Sequence, residues 1–305
     1  MNQSAPLTAR RVSPILGIAA GVAAISTASI FVRYAQIDGA PSLTIAALRL
    51  LFASAVLLPL AWVRSRAELV TLSTRDLLTG LVSGVFLGAH FATWIMSLQY
   101  TDVTNSVVLV TLSPLFVAVG SMLFLHERLS RLAISGVAIA VLGGVLMSLG
   151  GPGGASQQAP NPLLGNALAL LGAVCIAPYF LIGRRLRKRL STLAYISVVY
   201  SAAAAALMVA VAVSGTPLVG FDPQAYLWMA LLALLPQLVG HTSFNWSLGF
   251  LPATFATIPA LGEPIGSSIL AVLLLGEVLT PWKVVSGALA LSGIAFMTVS
   301  RTHER

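Results

Sequence analysis

Long apolar runs separated by short polar gaps organise the whole chain. Ten runs stand out, with approximate bounds Val12 to Phe31, Ser42 to Trp62, Leu77 to Leu98, Val103 to Leu125, Leu132 to Leu149, Leu163 to Ile182, Leu193 to Val213, Tyr226 to Leu248, Ala253 to Leu275 and Trp282 to Val299. Several exceed the roughly 18 residues needed to cross about 30 Å of hydrocarbon. Each is apolar on all sides. Barrel strands would alternate apolar and polar positions over about ten residues, so the pattern predicts membrane-spanning helices. An uncharged Gly/Pro/Gln stretch, Gly150 to Pro162, separates the fifth run from the sixth and reads as a loop.

Composition agrees with the pattern. Of 305 residues, 57% are hydrophobic and 9% charged, whereas a soluble domain averages about 25% charged residues. The net charge of +8 does not point to nucleic acid, because the basic residues sit in the gaps between runs. With the N-terminus placed inside, the inside gaps hold Arg10, Arg11, Arg64, Arg66, Arg75, Arg128, Arg131, Arg184, Arg185, Arg187, Lys188, Arg189, Arg301 and Arg305. The outside gaps hold Arg33 and Lys283, and Arg49 lies within a run. This bias predicts a plasma-membrane (bacterial inner-membrane) protein with both termini cytoplasmic. The first run reads as a helix and not as a cleaved leader, since many spans follow it.

The two halves are copies. Leu112–Ser130 aligns without gaps on Gly262–Thr280, pairing Pro114 with Pro264, Glu127 with Glu277, Leu129 with Leu279 and Ser130 with Thr280. His90 and Trp94 align approximately with His241 and Trp246. Five passes is an odd number, so the second copy enters the membrane upside down. The expected fold is all-α integral membrane, with ten transmembrane helices as two inverted five-helix repeats. The expected domains are 1–149 (first repeat), 150–162 (extracytoplasmic linker) and 163–305 (second repeat).

The motifs AALRLLFA (Ala46–Ala53), SPLFVAVGSMLFLHERLS (Ser113–Ser130), GNALALLGAVCIAPYFLIGRRL (Gly165–Leu186) and GEPIGSSILAVLLLGEVLTPWKVVSGALALSGI (Gly262–Ile294) occur in this order. By these the sequence resembles the EamA-type members of the drug/metabolite transporter superfamily, over about residues 13 to 300. The resemblance implies ten helices, cytoplasmic termini and movement of small metabolites, with amino-acid export among the activities of the family. The first helix carries no acidic residue, so the glutamate that the four-helix drug-exporting relatives use in their first helix has no counterpart here.

A charge near the bilayer centre costs about 2.5–3.5 kcal/mol on insertion scales, so intramembrane charges are the first places to look for chemistry. Two are evident, Arg49 in the second run and Glu263 in the ninth, the latter between Pro259 and Pro264. Arg49 is placed either to fork a substrate carboxylate or to hold the architecture. Glu263 is placed either to bind a substrate amine or carry a proton, or to serve as a structural acid. His90 with Trp94, and His241 with Asn245, are each four residues apart and share a helix face. They are expected to line a central cavity, and Tyr179, Tyr200 and Gln237 are further candidates. Glu127 and Glu277 read as fold-supporting acids at helix ends. Gly80, Gly84 and Gly88 form a stripe suited to close packing.

These observations favour a carrier of small molecules. Neither a catalytic motif nor a nucleotide-binding glycine loop is present, so an enzyme is disfavoured. Repeated rings of polar residues, which a channel would want, are absent as well. No metal and no cofactor is expected, since Cys175 is the sole cysteine and reads as a small core residue. The expected partners are a small-molecule substrate, the lipid bilayer and protons; nucleic acid is not among them.

Overall fold

The computed structural model describes residues 14–125, 130–149, 159–249 and 261–300, and these are helical apart from short turns. In chain order the helices are α1 (Pro14–Ser26), α2 (Ala28–Ile37), α3 (Ser42–Arg64), α4 (Arg66–Val70), α5 (Thr74–Tyr100), α6 (Val103–Val110), α7 (Ser113–Leu125) and α8 (Arg131–Leu149). The second half contributes α9 (Pro162–Leu186), α10 (Thr192–Ser214), α11 (Pro223–Leu232), a π-helical stretch (Ala233–His241), α12 (Thr242–Ser247), α13 (Gly262–Leu275) and α14 (Pro281–Ser300). Among the described residues, eight helical segments are long and apolar enough to cross a membrane, and Gly262–Leu275 and Pro281–Met297 are shorter apolar helices.

The boundaries differ from expectation in instructive ways. The first run does not stop at Phe31. It breaks at Thr27, whose hydroxyl donates to the Ala24 carbonyl at 2.8 Å, and continues as α2 to Ile37. Arg33 therefore sits in a helix and not in a gap, and its guanidinium donates to the Thr101 carbonyl at 3.2 Å. The fourth run is broken at Thr111–Leu112 into α6 and α7. The eighth is interrupted by the π-helical stretch around Pro236. Proline has no N–H to give to the ladder, and a π-bulge absorbs that loss. Short α4 lies in what reads as an inside gap. The expected Pro259, Glu127 and most of the Gly150–Pro162 loop lie outside the described residues.

Local signals explain the ends that did match. Ser73, Asn161 and Ser191 cap α5, α9 and α10 by accepting from the amides of Asp76, Leu164 and Ala194. Gly215 and Gly276 close α10 and α13 in left-handed backbone, with φ of 67° and 68°.

The packing is organised about the two copies. α8 lies against α14, α5 against α9 and α10, α3 against α10, α1 against the π-helical stretch, and α6 against α13. Numbered by run, these contacts are 5 with 10, 3 with 6, 3 with 7, 2 with 7, 1 with 8 and 4 with 9. Exchange of the halves turns 3 with 6 into 8 with 1 and leaves 5 with 10, 2 with 7 and 4 with 9 unchanged. Small residues allow the closest approaches. A Cβ added at Gly143 would clash with the Ala290 backbone nitrogen, and one at Gly293 with the Ala140 backbone nitrogen. The Gly80–Gly84–Gly88 stripe faces Val198, Ala202 and Ala203 of α10. The outer faces carry exposed Val63, Val85, Phe124, Val209, Val213 and Leu273, an apolar surface suited to lipid, while Arg49, His90, Gln237, His241 and Glu263 are buried inside.

At one end of the bundle the halves are tied by charge. Lys283 at the start of α14 donates to the Asp102 carboxylate at 2.7 Å, and both side chains are buried. Glu277 accepts from the amides of Val103 at 2.7 Å and Thr104 at 3.4 Å, which cap the start of α6. Burial pushes the Glu277 carboxyl above the usual carboxylate range, and these amide donors pull it partly back. Breaking a buried pair on one side strands a charge. Lys283→Met should therefore lower the melting temperature of the purified protein by an equivalent of about 3–5 kcal/mol. Adding Asp102→Asn should recover most of that loss. A double variant as unstable as the single one would contradict the pairing.

Candidate functional site

The site is built around Arg49, about two turns into α3, where the side chain is 0% exposed. Its Nε donates to Gln237 Oε1 at 2.9 Å, and its Cζ lies 4.0 Å from the centroid of the Phe91 ring. The aromatic face and the amide hold the guanidinium in place. Its two terminal nitrogens, Nη1 and Nη2, are buried and have no hydrogen-bond partner. That is unusual, because a buried charge normally has its donors satisfied.

Arg49 borders a cavity of about 40 Å³ between the two halves, together with His90, Trp94, His241, Ser113 and Glu263. Phe91, Phe180 and Phe244 complete an aromatic wall. His90 and Trp94 stack with parallel rings, 6.3 Å apart and inclined by 3°. The Nδ1 of His90 is 2.9 Å from the Gly172 carbonyl, which can only accept, so Nδ1 carries the proton of the neutral ring. His241 meets Phe91 edge-on at 5.1 Å and His90 at 6.5 Å. The Trp94 Nε1 and the His241 Nδ1 are buried without partners. Glu263, in the first turn of α13, reaches the same cavity, and no ion pair within 4.0 Å joins it to Arg49.

The structure thus divides the residues singled out from the sequence. Arg49, His90, Trp94, His241 and Glu263 share the cavity. Gln237, Tyr200, Asn245 and Tyr179 do not border it and lie behind it. Tyr179 donates to Asn245 Oδ1 at 2.7 Å, and Asn245 Nδ2 donates to Tyr200 at 3.1 Å and to the His241 carbonyl at 2.9 Å. Asn245 follows His241 in regular α-helix, but its amide is taken up by Tyr179, Tyr200 and the His241 carbonyl, and it does not border the cavity. Sequence reasoning missed Phe91, Phe180, Phe244 and Thr111. A phenylalanine in an apolar run carries no mark that distinguishes a cavity wall from a lipid face, and only the folded cavity reveals it. Among the described residues, no cluster of side chains suits a metal ion.

A second, larger cavity of about 800 Å³ opens near the tied end, where Arg33, Gln36, Gln99, Asp102 and Glu277 line it. Its charged groups are already engaged with Thr101, Lys283 and the start of α6. The central cavity is smaller but holds the unpartnered donors, and for that reason it is the better candidate site.

Loss of the support behind Arg49 has a defined effect. Gln237→Leu leaves Nε of a buried guanidinium without its acceptor, and the variant should lose about 1.5–3 kcal/mol of stability. Thermal unfolding in detergent checks this, and an unchanged midpoint would show that the amide does not hold Arg49.

The sequence pattern described as the EamA-like transporter family matches residues 12–149 and, a second time, residues 163–299. Among curated relatives, an uncharacterized transporter of Archaeoglobus fulgidus is 25% identical over 270 residues, 88% of this chain and 90% of that protein. The uncharacterized transporter YetK of Bacillus subtilis is 27% identical over 191 residues, 62% of this chain, and the matched stretch covers 56% of its own length. A solved structure titled only as a crystal structure of a protein superimposes with a TM-score of 0.66 at 21% identity, covering 97% of this chain and all of that one, so the two share a fold.

Proposed function

The chain belongs to the EamA-like transporter family and is a multi-pass membrane protein, and from that premise we propose that it is a secondary transporter exporting a small metabolite, an amino acid or related amphipathic compound, across the bacterial inner membrane by alternating access. In this reading the ten apolar runs all span, both termini are cytoplasmic, and residues 1–149 and 163–305 are inverted repeats joined by an extracytoplasmic linker at 150–162. The helix contacts that persist when the halves are exchanged support this. In such repeats each half can adopt the other's conformation, which moves the opening from one face to the other.

The observation that carries the reading is the buried cavity bounded by Arg49 from one half and Glu263 from the other. A cavity of about 40 Å³ holds a few waters by the usual measure. A metabolite therefore requires its walls to separate, as a carrier does and a fixed pore does not.

Glu263 is the coupling residue in this proposal. The charged and titratable groups that face it across the cavity are Arg49 of α3, His90 of α5 and His241 of the π-helical stretch. Protonation of Glu263 removes the negative charge opposite Arg49 and so changes how strongly the site holds an ion. Glu263→Gln should abolish transport or its pH dependence in proteoliposomes across about pH 5 to 8, the interval in which histidine also titrates, while the variant keeps its melting temperature. Equal, equally pH-dependent flux in variant and wild type would contradict the assignment.

A further inference from the structure

Resting on the carrier reading above, we infer that the substrate's obligatory group is a single carboxylate, bound by the Nη edge of Arg49 with the Trp94 Nε1–H as a second donor, and that an amine on the substrate is dispensable. A count of partners around the central cavity leads there. Nη1 and Nη2 of Arg49 together offer four N–H bonds, and Trp94 offers one more; all are buried and unpartnered. On the accepting side, Glu263 is the one acid of the cavity wall among the described residues, and it lies beyond ion-pair distance from Arg49.

The cavity is therefore rich in donors and positively charged at one point. A guanidinium kept in a low-dielectric interior with no anion in contact with its Nη donors is costly, and a ligand that supplies one recovers that cost on binding. A carboxylate fits the requirement closely. It carries one charge, it accepts along about four lone-pair directions, and its two oxygens match the two Nη groups as a fork. An ester, an amide or an amine supplies no negative charge.

Orientation follows from what holds Arg49. Nε is taken by Gln237 Oε1 and one face of the guanidinium lies on Phe91, so only the Nη edge is left to a ligand. The ligand's body then meets Phe91, Phe180 and Phe244, which favours an apolar substituent over a second charged group. His90 is committed through Nδ1 to Gly172 and presents only the acceptor Nε2, so it does not compete as a donor in its neutral form. Glu263 is free to meet an amine where one exists. Where none exists it is free to meet a proton, so amino acids and simple apolar acids share one mode of binding.

The test uses the intact purified protein and a chemical series built on one skeleton: 3-phenylpropanoate, its methyl ester, its primary amide, 3-phenylpropylamine and phenylalanine. Melting temperature is measured against ligand concentration, since a compound that binds the folded state raises it by mass action. The acid and the amino acid should both give saturable shifts, and the ester, amide and amine should give none. Trp94→Phe keeps the ring and removes one donor, so it should weaken binding of the acid by about two- to tenfold. Arg49→Lys should weaken it by about ten- to a hundredfold. The wild-type series stands even if Arg49→Lys does not fold. Stabilisation by the ester or the amine as strong as by the acid would overturn the inference, as would the absence of a shift with any member of the series. If another compound then showed saturable flux, the carboxylate assignment alone would fail. If the acid bound through Arg49 and no compound showed saturable flux, the carrier reading would fail and the carboxylate site would stand.

Discussion

A guanidinium buried within a lipid-embedded bundle is the constraint around which this molecule is arranged. Arg49 is wholly inaccessible on α3, two turns from the helix start. A charge near the centre of a membrane helix costs about 2.5–3.5 kcal/mol even on the mildest scale. The fold offsets part of that cost with an aromatic face from α5 and an amide from the π-helical stretch, and so draws on three elements from both halves. The remaining donors are left for whatever enters the cavity. In the proposed site stability and function are linked, because the feature that is costly in the empty bundle would make a bound anion favourable.

The surroundings of the site suit the alternating access proposed for it. Helices that pack through glycine and alanine, such as α8 with α14, approach closely over smooth surfaces. Three of the spans that reach the site are interrupted: α1 and α2 at Thr27, α6 and α7 at Thr111–Leu112, and the eighth run by its π turn. Interruptions like these are found where a membrane helix lines a cavity, since the freed backbone groups need polar company. The buried Asp102–Lys283 pair and the Glu277 cap of α6 close one end across the interface between halves. Polar ties across an interface are suited to a contact that is made and broken, because water and alternative partners replace them more readily than they replace packed apolar surface.

Much of the architecture was legible in the sequence because a membrane simplifies the problem. Run length and the absence of charge locate helices almost alone, and run centres such as those of α3, α5, α9 and α10 lie where expected. Ends were less legible, because an apolar window cannot register a hydroxyl that breaks a helix at Thr27, nor that Arg33 is held inside a helix by the Thr101 carbonyl. The site was legible in part for the same reason. A charge or imidazole inside an apolar run stands out, so Arg49, Glu263, His90, Trp94 and His241 could be named before their meeting in one cavity was visible. Asn245 was expected on the same wall as His241 by helical spacing, but hydrogen bonds to Tyr179 and Tyr200 hold its amide behind the cavity. Phe91, Phe180 and Phe244 had no signal at all, since lipid and cavity both accept a phenyl ring.

The central claim is that one site between the two halves faces each side of the membrane in turn. Ser113, the repeat counterpart of Glu263, lies on the cavity wall, and Cys175 is the sole cysteine. Ser113→Cys in a Cys175→Ser background therefore reports on the cavity alone. Labelling with a membrane-impermeant thiol reagent, applied separately to right-side-out and inside-out vesicles, should reach Cys at position 113 from both faces, and a transported ligand should protect it from either. Labelling from one face only, under every condition of ligand and pH, would contradict the account.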